Sequence, residues 1–366
     1  MSVDVHQHLW TSTFVDALRA RTKPPYLDGW TLILDGEPPY EVDPADHEHR
    51  DTTGLELALV SLSSPLGIEF LPPEECWPLI DAHHDGALSL GEPFGVWAAT
   101  CHSEPDPDRL AEDLDRGLAG LQIPATATPD DRLLEVLTAR DLPLFVHPGP
   151  ALAPAGTPSW WPALVPYVQQ MHASWHYFHA VVRPRHPRLR VCFALLAGLA
   201  PLHSERLIAR GGGGRGLVDR DFFVETSSYG PRAIDAIVRE LGIDVVVNGS
   251  DAPYATAPDP GLGAAAAHAI KTVNPARLLQ GGGTWRLSPP PAGRDFDFRE
   301  GVPSSGGAEG AQRPERGKTA ASGDRARRPQ GGKSDSEGVP SSGGAEGAQR
   351  PERGKTAAYG DRARLT

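Results

Sequence analysis

Asp4-Val5-His6-Gln7-His8, at the start of the chain, is the stretch on which the fold turns. In an extended strand successive side chains point to opposite faces, so His6 and His8 leave on the same side as adjacent imidazoles that one divalent metal can share. A histidine pair at this spacing is common by chance. Its meaning depends on whether further ligands arrive at the ends of other strands.

Outward from this stretch, short apolar runs bounded by turn residues predict seven more strands, at 56–63, 95–101, 119–123, 143–147, 190–196, 222–226 and 243–249. Helical stretches lie between them at 108–116, 131–140, 202–210, 232–241 and 264–272. The alternation predicts an α/β fold, a (β/α)8 TIM barrel over residues 1–285, near the roughly 250 residues such a barrel uses. Its chemistry belongs at the C-terminal ends of the strands. The first strand brings His6 and His8 there, the fifth brings His147 in Phe145-Val146-His147-Pro148-Gly149, and the eighth brings Asp251 in Asn248-Gly249-Ser250-Asp251-Ala252-Pro253. Three imidazoles and a carboxylate on one rim make an open site for one divalent metal, Zn²⁺ by ligand type, with Mn²⁺ also accepting such donors.

The chain resembles the amidohydrolase superfamily, within it the amidohydrolase-related group that contains the aminocarboxymuconate semialdehyde decarboxylase type of enzyme. The resemblance rests on His6-Gln7-His8, Val146-His147-Pro148, Asn248-Gly249-Ser250-Asp251-Ala252-Pro253 and Asn274-Pro275-Ala276-Arg277-Leu278-Leu279, and covers about the first 280 residues. It implies a mononuclear metal held by His6, His8, His147 and Asp251, a small-molecule substrate, and hydrolysis or decarboxylation without a redox cofactor. It also implies a homodimer, as in related barrels. Dinuclear members bridge their metals with a modified lysine from the fourth strand. Here Gly120-Leu121-Gln122-Ile123-Pro124 holds no lysine, which favours one metal. The resemblance breaks after the sixth strand, where the family carries a histidine and this chain reads Phe193-Ala194-Leu195-Leu196-Ala197-Gly198. Leu195 can neither take nor give a proton. His203, eight residues on, could lean toward the rim, although a helix-surface position is the simpler reading.

A zinc ion lowers the pKa of its bound water from about 15.7 to roughly 7, and Asp251 is expected to serve both as ligand and as general base. Hydrolysis of a small ester, lactone or amide ranks first because it needs only the metal, its water and one base. Release of carbon dioxide from an unsaturated acid on the same site ranks second. A degenerate barrel that binds without turning over is the third reading.

Other polar residues are weighed against these. His47-Glu48-His49 repeats the two-histidine spacing inside a charged stretch and reads as a solvated loop. Residues 11–55 form a long connection of the kind that covers a pocket, with Trp10, Trp30 and Tyr40 as candidate lining residues. His172, His176 and His179 share a helix face at spacings of four and three, read as the edge of an outer-ring helix. Glu225, Ser227 and Ser228, at the end of the seventh strand, are candidate substrate contacts.

Cys76, Cys101 and Cys192 are too few and too scattered for a disulfide framework or a cysteine zinc site, which points to reducing conditions. No charged-then-apolar leader precedes the first strand, and no apolar run reaches the roughly 18 residues that span a bilayer, so a cytoplasmic protein without a membrane partner is expected. Before residue 300, acidic side chains outnumber basic ones 38 to 23, which argues against a nucleic-acid partner. Residues 286–366 follow other rules. Glu300–Arg327 recurs at Glu337–Arg364 with Ser322 replaced by Tyr359. The duplicated unit carries one valine amid Gly, Ser, Pro, Ala and charge, and a disordered low-complexity tail is expected.

Overall fold

The structure, a computed structural model, describes residues 2–48, 50–212 and 218–279. The boundary expected near residue 285 and the duplicated tail, 286–366, lie outside the described residues.

Eight parallel strands form the barrel: β1 (Ser2–Gln7), β2 (Leu55–Val60), β3 (Phe94–Val96), β4 (Leu121–Pro124), β5 (Leu144–His147), β6 (Val191–Phe193), β7 (Phe222–Glu225) and β8 (Val246–Val247). Neighbours in sequence pair in parallel from β1 to β3 and from β4 to β8. Two single bridges, Ala98 with Leu121 and Gln7 with Ala252, join these sheets into a closed cylinder. Every expected strand is present, most of them shorter than expected and with ends shifted by one to a few residues.

Burial explains why these runs become strands. Val, Leu and Phe dominate them, and Phe145, Phe193, Phe222 and Phe223 are fully enclosed. Trp97, just past β3, stacks on Phe145 at 5.3 Å and donates its indole N–H to the Val5 carbonyl across the barrel at 2.9 Å. Two helices start where an aspartate caps them. Asp106 accepts from the Asp108 and Arg109 amides ahead of helix Pro107–Asp115, and Asp130 accepts from the Arg132 amide ahead of Asp131–Arg140. Among the described residues no helix is long and apolar enough to cross a membrane.

The connection after β1 carries more structure than its sequence shows. It holds helix Ser12–Arg19, a three-stranded antiparallel sheet (Tyr26–Asp28, Thr31–Ile33, Tyr40–Glu41) and the short helix Ala45–Glu48. With two or three residues per strand, there is no alternation to read. Trp10, Phe14, Leu18, Leu27 and Leu32 bury this layer against Leu62, Leu66, Ile68 and Leu79. His47 is therefore not in a solvated loop. It is buried, its ring stacks on Trp10 at 4.7 Å, and its Nδ1 accepts from the Trp10 amide at 3.2 Å. Burial, helped by the nearby Arg50 charge, holds its pKa down at about 4, so the ring is neutral at pH 7.

The seam between β1 and β8 fixes the rim. Across it Val5 N donates to Asn248 O (3.0 Å), Asp251 N to His6 O (2.9 Å) and His8 N to Ala252 O (2.7 Å). Asp4 ties the seam together. One of its oxygens accepts from the His6 amide (3.1 Å) and the Ser250 amide (3.0 Å), and the other accepts from Gln7 Nε2 (2.9 Å). Burial raises the Asp4 pKa, and these hydrogen bonds oppose the rise. Replacing Asp4 by Ala strands three buried donors. The expected cost is about 3 kcal/mol of stability, read from urea unfolding; a loss below about 1 kcal/mol would show that the seam holds without it.

Candidate metal centre

His6 and His8 stand at the end of β1, His147 is the last residue of β5, and Asp251 follows β8. The structure brings all four together, with their ligand atoms within 4.8 Å of one another. His6 Nε2 and His8 Nε2 are 3.0 Å apart, and Asp251 Oδ1 lies 3.5 Å from the first and 3.3 Å from the second. The three imidazole rings meet edge to face, with centroids 4.9, 4.9 and 5.0 Å apart. Four ligands held tetrahedrally at zinc distances are separated by about 3.3 Å, so the spacing suits one cation.

The far side of each ring decides what faces the centre. His6 Nδ1 lies 3.3 Å from Glu225 Oε1, His8 Nδ1 lies 3.1 Å from the Ser61 carbonyl, and His147 Nδ1 lies 2.8 Å from the Pro148 carbonyl. These partners only accept, so each Nδ1 carries the proton and each Nε2 turns a lone pair inward. Lone pairs 3.0 Å apart repel unless a cation lies between them. Electrostatics act differently on the three rings. Burial, with the charges of His6 and His8, pushes the His147 pKa well down, and burial lowers that of His8. Burial opposes charge on His6 too, but the Glu225 hydrogen bond and the Asp251, Glu225 and Asp4 charges outweigh it, raising its pKa. Burial would raise Asp251, yet its contacts with His8 and His6 hold its carboxyl below the usual range. The donor set fits a divalent metal.

Glu225 and Ser227 are not substrate contacts. Both are fully buried beneath the site, and Glu225 is its hidden organiser. Besides His6, it accepts from the Ser227 amide (2.6 Å), the Ser227 hydroxyl (2.5 Å) and the Leu195 amide (2.7 Å). Gly249 is needed here, since a Cβ would sit 2.2 Å from Glu225 Oε2. The Leu195 bond anchors an unusual turn. Leu195, Leu196, Ala197, Gly198 and Leu199 run consecutively at φ of 54, 47, 53, 59 and 60°. L-residues lose roughly 1–2 kcal/mol each in this left-handed conformation, which burial of Leu196 and Ala197 and the grip of Glu225 offset. Leu195 thereby faces the cavity as an apolar wall.

The cavity over the four donors measures about 570 Å³. Trp10, Tyr40, Trp160, Tyr167, Tyr229 and Tyr254 give it aromatic walls, and Ser228 and Leu195 complete the rim beside Asp251. Trp30 packs instead in the side layer. His203 does not approach the rim; its ring meets His172 at 4.9 Å.

No family model and no curated protein sequence matches the chain. Solved structures do. IDCase from Metarhizium anisopliae aligns with a TM-score of 0.57 at 17% identity, over 76% of this chain and 97% of that one. The 5-carboxyvanillate decarboxylase of Sphingomonas paucimobilis aligns with a TM-score of 0.55 at 19% identity, over 76% and 99%. The 5-carboxyvanillate decarboxylase of Novosphingobium aromaticivorans, in complex with manganese and 4-hydroxy-3-methoxy-5-nitrobenzoic acid, aligns with a TM-score of 0.55 at 16% identity, over 76% and 96%. At these identities the likeness establishes the fold alone, the eight-stranded barrel expected from the sequence.

Glu225→Gln keeps the shape but weakens the acceptor behind His6. Affinity for Mn²⁺, measured by titration calorimetry, is expected to fall about 10- to 100-fold, and an unchanged affinity would remove Glu225 from the account.

Proposed function

We propose that this chain is a metal-dependent decarboxylase acting on a small, hydroxylated aromatic carboxylic acid. One observation carries the reading: three inward Nε2 lone pairs and the Asp251 carboxylate converge at the floor of an aromatic-walled cavity. The chemistry named for the neighbouring structures supports release of carbon dioxide over hydrolysis, reversing the order drawn from sequence.

A divalent cation held by His6, His8, His147 and Asp251, Zn²⁺ or Mn²⁺, would supply positive charge to orient the acid's oxygens and steady the electron pair left as carbon dioxide departs. The chain's own residues do the rest. Trp10, Trp160 and Tyr167 offer flat apolar surface to a ring and exclude water from it. The reaction replaces a carboxylate with a hydrogen on the same carbon, so one proton must be delivered there. Asp251 is the one carboxylate lining the cavity among the described residues, and its lowered pKa leaves it ionised at rest. It takes a proton from the substrate's acidic group or from water and hands it to the carbon. Leu195 adds apolar wall without adding a competing acid or base.

The test is to load the protein with Mn²⁺ or Zn²⁺ and incubate it with hydroxybenzoic acids while following carbon dioxide. Metal-dependent turnover is expected, abolished by a chelator, restored by metal and reduced about 10²- to 10⁴-fold by Asp251→Asn. Acid release from esters or lactones without carbon dioxide would make it a hydrolase. No turnover at full metal occupancy would make it a binding barrel.

A further inference from the structure

The two elements that wall the cavity beside Leu195 carry a second group of imidazoles. His172 and His176 lie one turn apart on helix Pro166–Tyr177, with ring centroids 4.9 Å apart, edge to face. His203, at the end of the turn 195–203, brings its ring to 4.9 Å from His172, again edge to face. The same separations hold the histidines of the metal centre. His179 does not join them, since its ring packs 4.5 Å from both Trp175 and Phe222.

We propose that His172, His176 and His203 form a second divalent-cation site, of the kind that takes Zn²⁺, Ni²⁺ or Cu²⁺, which clamps the helix to the left-handed turn. Histidines at i and i+4 share a helix face, and this is a spacing at which helical pairs hold zinc. The two elements that bear the three rings already touch. At Gly198 a Cβ would sit 2.4 Å from the Val168 carbonyl and 3.2 Å from the His172 amide, so the turn lies directly against the helix. As the rings stand, their ligand atoms do not all fall within 4.8 Å of one another. His203 is exposed, so its ring has room to turn toward His172. Burial and the neighbouring imidazoles lower the pKa of His172 and His176, which favours the neutral, ligating form.

An all-imidazole site discriminates where a mixed one does not, because Mn²⁺ prefers oxygen donors while Zn²⁺ and Ni²⁺ accept nitrogen. The full chain, free of any added tag, is titrated with Zn²⁺ and separately with Mn²⁺. Zn²⁺ is expected to bind with one equivalent more than Mn²⁺. That extra equivalent is lost in His172→Ala and in His203→Ala, the latter at an exposed position, and it persists in His6→Ala. Equal stoichiometry for the two metals overturns the proposal, and so does an extra Zn²⁺ that survives both His172→Ala and His203→Ala. The His6→Ala arm keeps this result separate from the proposed decarboxylation, which depends on the deep site alone.

Discussion

Everything in this molecule that bears on chemistry depends on closing the first strand against the eighth. Two of the four donors ride on β1 and its exit, and a third follows β8, so a slip at this seam would separate His6 and His8 from Asp251. The seam is held by backbone bonds from Val5, His8 and Asp251, and by the buried Asp4 carboxylate that accepts from both sides. A side chain that touches no substrate thus sets the ligand geometry. Burial raises its pKa, and the donors around it oppose that rise.

The second organising layer is Glu225, which connects three things that a linear reading keeps apart. It orients His6, fixes the turn that bears Leu195, and presses on Gly249 next to Asp251. This arrangement explains why a turn built largely from Leu and Ala tolerates five residues of left-handed backbone. The amide of Leu195 is pinned at 2.7 Å, and the side chain that replaces the expected histidine becomes part of the cavity wall. A metal site with one carboxylate and an otherwise largely apolar cavity wall suits a reaction that needs a single proton delivered to carbon. It suits poorly one that needs separate acid and base groups.

Much of this was legible in the sequence, for identifiable reasons. Barrel strands are enclosed on both faces, so each shows as an apolar run, and His6, His8, His147 and Asp251 stand where those runs stop. The misses share a cause as well. The small sheet after β1 has strands too short to display a period, and His47 is buried by Trp10, an aromatic neighbour 37 positions away in sequence. Glu225 was placed at the correct strand end but given the wrong task. Sequence position fixes which rim a residue reaches and leaves open whether it points into the cavity or beneath it. His203 meets His172 through a turn whose left-handed course follows from contacts with Glu225 and Val168, and no local pattern encodes those contacts.

The most direct measurement of the central claim is anomalous diffraction at the manganese edge from crystals of the protein grown with Mn²⁺. One peak is expected, roughly 2.0–2.2 Å from His6 Nε2, His8 Nε2, His147 Nε2 and an Asp251 oxygen. A peak lying elsewhere, or none in crystals whose solution is saturated with the ion, would contradict it.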